Sequence, residues 1–201
     1  MKRLFFLFMV CSILVSFDKS APKVLLFIKD GSQQLEYMLT NEVGKMSEII
    51  KQSGYEVTIS TISGEVLKAG SVTVKPDLKL SEVNIDDYAG FIFPCMVSEE
   101  VNPELITFVK AIVDKGKPIA AQAGSVGLLI NADVLNGKKY TLNHDAGADV
   151  KDGIYSGTGV VQDGLIITSG TCPWIAKETG WVDGTAKLTQ TLIDAIKAKN
   201  K

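Results

Sequence analysis

Pro118-Ile119-Ala120-Ala121-Gln122-Ala123-Gly124 is the stretch on which the fold turns. It opens on a short apolar run with no alternating polar residues, the pattern of a strand covered on both faces. It then passes straight into small residues and Gly124, which permit a sharp turn. Val126, Leu129, Ile130 and Leu135 follow at helical spacing. A strand that turns at once into a helix is the repeating joint of an α/β protein.

The same alternation extends in both directions. Upstream, Lys23-Val24-Leu25-Leu26-Phe27-Ile28 is a second continuous apolar run, broken by Asp30-Gly31-Ser32. Leu35, Met38, Leu39, Val43, Met46, Ile49 and Ile50 then mark a helix that Gly54 ends. Tyr55 to Thr61 alternates as a strand, and Gly64 and Gly70 punctuate a hairpin with Ser71-Val72-Thr73-Val74 as its second arm. Tyr88 to Pro94 is another buried strand, and Pro103 starts a helix that Gly116 closes. Downstream, Val160-Val161 and Leu165 to Thr168 flank Asp163-Gly164 as a tight hairpin. Leu188, Leu192, Ile193 and Ile196 line one face of a last helix. The pattern predicts an α/β three-layer sandwich around a mostly parallel central sheet, as one domain over residues 22–201.

Residues 1–21 read differently. Met1-Lys2-Arg3 precedes an almost wholly apolar run from Leu4 to Phe17, the pattern of a secretory signal peptide. The run is shorter than the roughly 20 residues of a membrane span. The expectation is export to a periplasmic or extracellular space, with an uncleaved membrane anchor as the alternative. Net charge is −2, so no basic face for nucleic acid is implied. The single His144 and the three cysteines, Cys11, Cys95 and Cys172, are too scattered for a zinc site. No metal and no cofactor is expected.

Ligand sites in such sheets form beyond the carboxyl ends of the strands. Those ends carry Gly31 to Glu36, Cys95-Met96, Gln122-Ala123-Gly124, Asn143-His144 and Gly170 to Cys172. Export leaves Cys95 and Cys172 in an oxidising compartment, on loops expected at one rim. They read as a disulfide, as two buried thiols, or as a displaced nucleophile.

The order strand, DGSQQLE, helix, hairpin, DYAGFIFP, helix, PIAAQAG, helix, DGLIITSG, helix resembles the ThiJ/PfpI family. That family includes DJ-1-like proteins and is related to class I glutamine amidotransferases. The resemblance implies a flavodoxin-like fold, dimers, and activities described as glyoxalase, deglycase, chaperone or protease. It places a pocket glutamate at Glu36. It places the nucleophile in a pattern like Ala-x-Cys-x-Gly, where this chain has Gln122, followed by Ala123 and Gly124. An amide nitrogen is not a useful nucleophile, whereas Gln122 can donate hydrogen bonds to a carboxylate such as Glu36. The family's Pro-Gly-Gly after the central strand is here Pro94-Cys95-Met96. Backbone N–H groups of Met96 and Ala123 would then supply the anion site. His144 falls where some members place a histidine, or is an ordinary loop residue.

Three functions follow from this reading. The first is an exported, stress-related or small-molecule-binding protein without the family's cysteine chemistry. The second is a glyoxalase, deglycase or hydrolase working through Cys95 or Cys172. The third is a holdase-type chaperone.

Overall fold

The computed structural model describes residues 21–32, 34–95, 102–199 and 201. The leader reading, Cys11 and Met96 lie outside the described residues. Strand β1 (Lys23–Phe27) leads to α1 (Leu35–Met38), a π-helical turn (Leu39–Val43) and α2 (Gly44–Gln52). Next come β2 (Glu56–Thr61), the hairpin β3 (Leu67–Ala69) and β4 (Val72–Val74), and β5 (Leu78–Lys79). Strand β6 (Tyr88–Phe93), helix α3 (Pro103–Asp114), β7 (Ile119–Gln122) and α4 (Val126–Asn131) follow. The chain continues through β8 (Lys139–Tyr140), β9 (Ile154–Tyr155), β10 (Val160–Asp163) and β11 (Ile166–Ser169). It finishes with α5 (Pro173–Thr179) and α6 (Thr185–Lys199).

Among the described residues, seven strands form the main sheet in the order β10-β11-β7-β6-β1-β2-β5. Every pair is parallel except β10 with β11. The fold is the expected α/β sandwich. The pleat sorts its core into two halves. Leu25, Phe27, Phe91, Phe93, Ile119 and Ala121 point to the face covered by α3 and α4. Val24, Leu26, Ile92, Ala120 and Ile167 point to the face covered by α2 and α6. Both faces of these strands are dry, which is why their sequences run apolar without alternating.

Local sequence fixes the joints. Asn102 caps α3, its Oδ1 accepting from the N–H groups of Glu104 at 2.8 Å and Leu105 at 3.2 Å, with Pro103 in the first turn. The sheet order reverses at β1: the chain runs to β2 on one side and returns to β6 on the other. The β1–β6 boundary is therefore the topological switch point, where a crevice opens at the carboxyl ends. The periodicity had implied one helix from Leu35 to Ile50. The structure interrupts it with the π turn, which carries one extra residue's rotation into its wall. Strands β5, β8 and β9, two residues each, and helix α5 are additions to the predicted set.

One glycine sets the position of a loop at this edge. Gly170 follows β11, and a methyl group on it would sit 2.5 Å from the Leu142 carbonyl carbon and oxygen and 2.9 Å from the Thr158 Cα. These are backbone atoms, so no side-chain rotation relieves the clash. Gly170→Ala is expected to destabilise the fold by about 1–3 kcal/mol, as a lower urea midpoint at unchanged m-value. Wild-type stability in that variant would show that the Leu142 segment is not held by this contact.

Candidate functional site

Strand β7 ends in extended backbone at Gln122, with φ −116° and ψ 131°. The next residue, Ala123, has φ 45°. A non-glycine residue in left-handed backbone costs about 1–2 kcal/mol and is held there only by its surroundings. Ala123 is therefore the apex of the strand-to-helix elbow, the position where such turns present a nucleophile. The sequence pattern had put Gln122 there. The pleat explains the difference of one residue. Gln122 shares the parity of Ala120 and so faces α6, not the strand end. Its Nε2 donates to the Thr171 carbonyl at 2.8 Å and to the Thr185 hydroxyl at 3.1 Å. Gln122 is fully buried and fastens β7 to α6.

The apex carries only a methyl group, and two thiols flank it. Cys95, just after β6, and Cys172, just before α5, pack with Ala123 and Met38 in one small cluster. Both cysteines are buried and free, so no disulfide joins them. The two thiols lie together in this cluster, near enough for each to shift the titration of the other. The Ser125 hydroxyl donates to the Pro94 carbonyl and ties the β6 loop to the elbow.

Glu42 lies beneath them. It sits on the π turn, is 0% exposed, and accepts the Cys95 N–H through Oε1 at 2.6 Å. Its Oε2 is buried without a hydrogen-bond partner. Sequence reasoning chose Glu36 as the pocket carboxylate, and the structure corrects that choice. Glu36 is exposed and accepts from the Ser71 N–H at 3.1 Å and the Ser71 hydroxyl at 3.3 Å. It anchors the β3–β4 hairpin and makes no bond to Gln122. The missed residue had left a signal. Glu42 stands three residues after Leu39 and four before Met46, a charge inside the apolar stripe.

The electrostatics of the cluster admit one negative charge. Burial pushes the Glu42 carboxyl well above its ordinary value, against the Cys95 N–H, and the neighbouring Cys172 and Asp183 charges push it further. The Cys172 thiol comes down to about 7, chiefly because the Cys95 thiol donates to it, with the N–H groups of Ile175 and Trp174 adding to the effect against burial. The same contact, then burial and the Glu42 charge, drives the Cys95 thiol upward. The first proton to leave the pair leaves Cys172. Glu42 and Cys95 are both pushed toward their protonated forms.

A cavity of about 420 Å³ opens over this cluster, lined by Met38, Cys95, Gly124, His144, Cys172 and Trp174 among others. Its rim is aromatic. Tyr37 and Trp174 meet edge to face at 5.3 Å, and the Lys177 ammonium sits 5.1 Å from the Trp174 ring. His144 is exposed at the mouth, its Nδ1 2.7 Å from the Asn143 Oδ1. The structure thus brings Cys95, Cys172, Gly124 and His144 to one cavity and leaves Glu36 and Gln122 out of its lining. Among the described residues, no three Cys, His, Asp or Glu side chains converge to hold a metal, and no helix is long and apolar enough to cross a membrane.

The DJ-1/PfpI family model matches residues 22–176. A protein of Archaeoglobus fulgidus with no assigned function is 34% identical over 131 residues, covering 60% of this chain and 75% of that protein. A Thermococcus kodakarensis protein named a deglycase is 29% identical over 134 residues, covering 65% of this chain and 77% of its own. Among solved structures, a ThiJ/PfpI domain protein from Brachyspira murdochii superposes with a TM-score of 0.68 at 16% identity, covering 90% of this chain and 99% of that one.

Two measurements check this geometry. Gln122→Ala is expected to cost about 2–4 kcal/mol of stability while leaving the reactivity of Cys172 toward a small alkylating agent unchanged. Loss of that reactivity in a folded variant would place Gln122 in the pocket after all. Glu42 gives a pH test. Its folded value is raised, so its contribution to stability is complete below its ordinary value of 4.5 and is lost as pH rises from there through the folded value. Wild-type stability should therefore decline across that window relative to Glu42→Gln, in urea titrations from pH 4 to 8. Parallel pH profiles would mean that Glu42 ionises as freely as a surface carboxylate.

Proposed function

The chain belongs to the DJ-1/PfpI family, and we propose that it acts on small carbonyl electrophiles in the strand-end cavity, with Cys172 supplying the thiolate in place of the elbow residue. The observation that carries this reading is the convergence of Cys172 and Cys95 on one wall of the cavity, with the Glu42 carboxyl buried behind it against the Cys95 N–H and the Cys172 thiol lowered to about 7. The thiolate is the reactive form of a cysteine, and a lowered pKa makes it available near neutrality. Its sulfur adds to the carbonyl carbon. The carbon–sulfur bond forms, the carbonyl π pair moves to oxygen, and that oxygen takes a proton from solvent to give a hemithioacetal. The name deglycase borne by the Thermococcus kodakarensis relative supports the choice of carbonyl chemistry. Ala123 would correspond to the family's nucleophile position, since it holds the strained apex.

A second reading is a binding protein without turnover. Two facts favour it: the apex residue is alanine, and Cys172 has 0% exposure, so it forms the wall of the cavity without meeting bulk water. Export through residues 1–21 belongs to the proposal on its sequence pattern alone, and the mass of the secreted chain tests it.

Methylglyoxal separates the two readings. Carbonyl chemistry predicts measurable consumption that falls at least about ten-fold in Cys172→Ser, because a hydroxyl does not ionise near neutrality, with a smaller fall in Cys95→Ser. Consumption equal in wild type and Cys172→Ser would sink the catalytic reading, and retained saturable binding of the compound would favour the second.

A further inference from the structure

We propose that Cys172 and Cys95 form a working dithiol–disulfide couple that reduces a small hydroperoxide. The proposal rests on Cys172 as the reacting thiolate, but not on the carbonyl chemistry above. Three observations carry it. The two thiols lie together in one small buried cluster. They sit on the loops after β6 and β11, flanking the small Ala123, so closing to a bond of ~2.05 Å asks for movement of loop residues and not of strands. The cavity reaches the pair, yet Cys172 has no surface open to bulk water. That burial selects among electrophiles. A glycated macromolecule cannot reach the sulfur, whereas a hydroperoxide, only a few atoms across, needs only a small opening of the cavity wall to do so.

The cycle balances. The Cys172 thiolate attacks the terminal oxygen of the hydroperoxide, the O–O bond breaks, and the departing alkoxide or hydroxide takes a proton. The Glu42 carboxyl, buried against the Cys95 N–H with Oε2 unpartnered, is the acid the proposal assigns to that proton. Cys172 is now a sulfenic acid. The Cys95 sulfur attacks it, the S–S bond forms, and water leaves with the Cys95 proton. Two thiols and one hydroperoxide thus become a disulfide, an alcohol or water, and a second water. A dithiol reductant restores both thiols by exchange.

The test uses the full-length reduced chain and hydrogen peroxide. The expected result is a Cys95–Cys172 cross-linked peptide under non-reducing mass mapping, formed as peroxide is consumed. With dithiothreitol present, wild type should turn over repeatedly. Cys95→Ser should consume peroxide without forming the cross-link, leave a sulfenic acid on Cys172 that dimedone traps, and lose sustained turnover at least about ten-fold. Cys172→Ser should consume none above the chemical background. The idea is overturned if peroxide leaves both thiols titratable, if wild-type oxidation stops on Cys172 as sulfinic acid, or if Cys95→Ser turns over like wild type. A Cys95→Ala variant repeats the test should the serine fail to fold. Carbonyl activity without the cross-link would leave the carbonyl reading standing and this one refuted. The cross-link without carbonyl activity would do the reverse.

Discussion

The bond from the Cys95 N–H to the Glu42 carboxyl is the contact on which the site depends. It spans the boundary between β1 and β6, where the sheet order reverses and parallel folds leave a crevice. A carboxyl with 0% exposure is unfavourable there unless it is neutral or well paired. Only one of its oxygens has a hydrogen-bond partner. Burial therefore pushes this carboxyl toward its protonated form. A protonated Glu42 in turn favours a sulfur anion nearby, since two buried charges of one sign disfavour each other.

This single-anion rule orders the chemistry. Cys95 and Cys172 are the same residue type in the same cluster, yet their thiols are pushed in opposite directions. The asymmetry follows first from the contact between the two thiols, and Cys172 also receives the N–H groups at the start of α5. The Cys95 backbone N–H is meanwhile committed to Glu42. One sulfur is built to carry charge and the other to keep its proton.

The fold was legible in the sequence because the buried parallel strands leave long apolar runs and the glycines mark their ends. The rim was legible for the same reason: Cys95 and Cys172 follow recognisable strands. The individual site residues were harder. Gln122 and Ala123 differ by one step, and in a strand one step reverses the face, so the apex and the β7–α6 fastener exchange roles. Glu36 precedes the π turn and Glu42 lies on it, and the extra rotation of that turn is something no 3.6-residue pattern shows. Strands of two residues, such as β8 and β9, are too short to display a period at all.

The alanine at the elbow is best understood with its neighbours. Left-handed backbone at a residue with a side chain is unfavourable and is held only by its surroundings. Here the strain persists at Ala123. The turn presents the Gly124 N–H, which donates to the Cys95 sulfur. Its short side chain leaves the space in which two sulfurs meet. The strained turn thus still serves a thiol, although the thiol belongs to another strand.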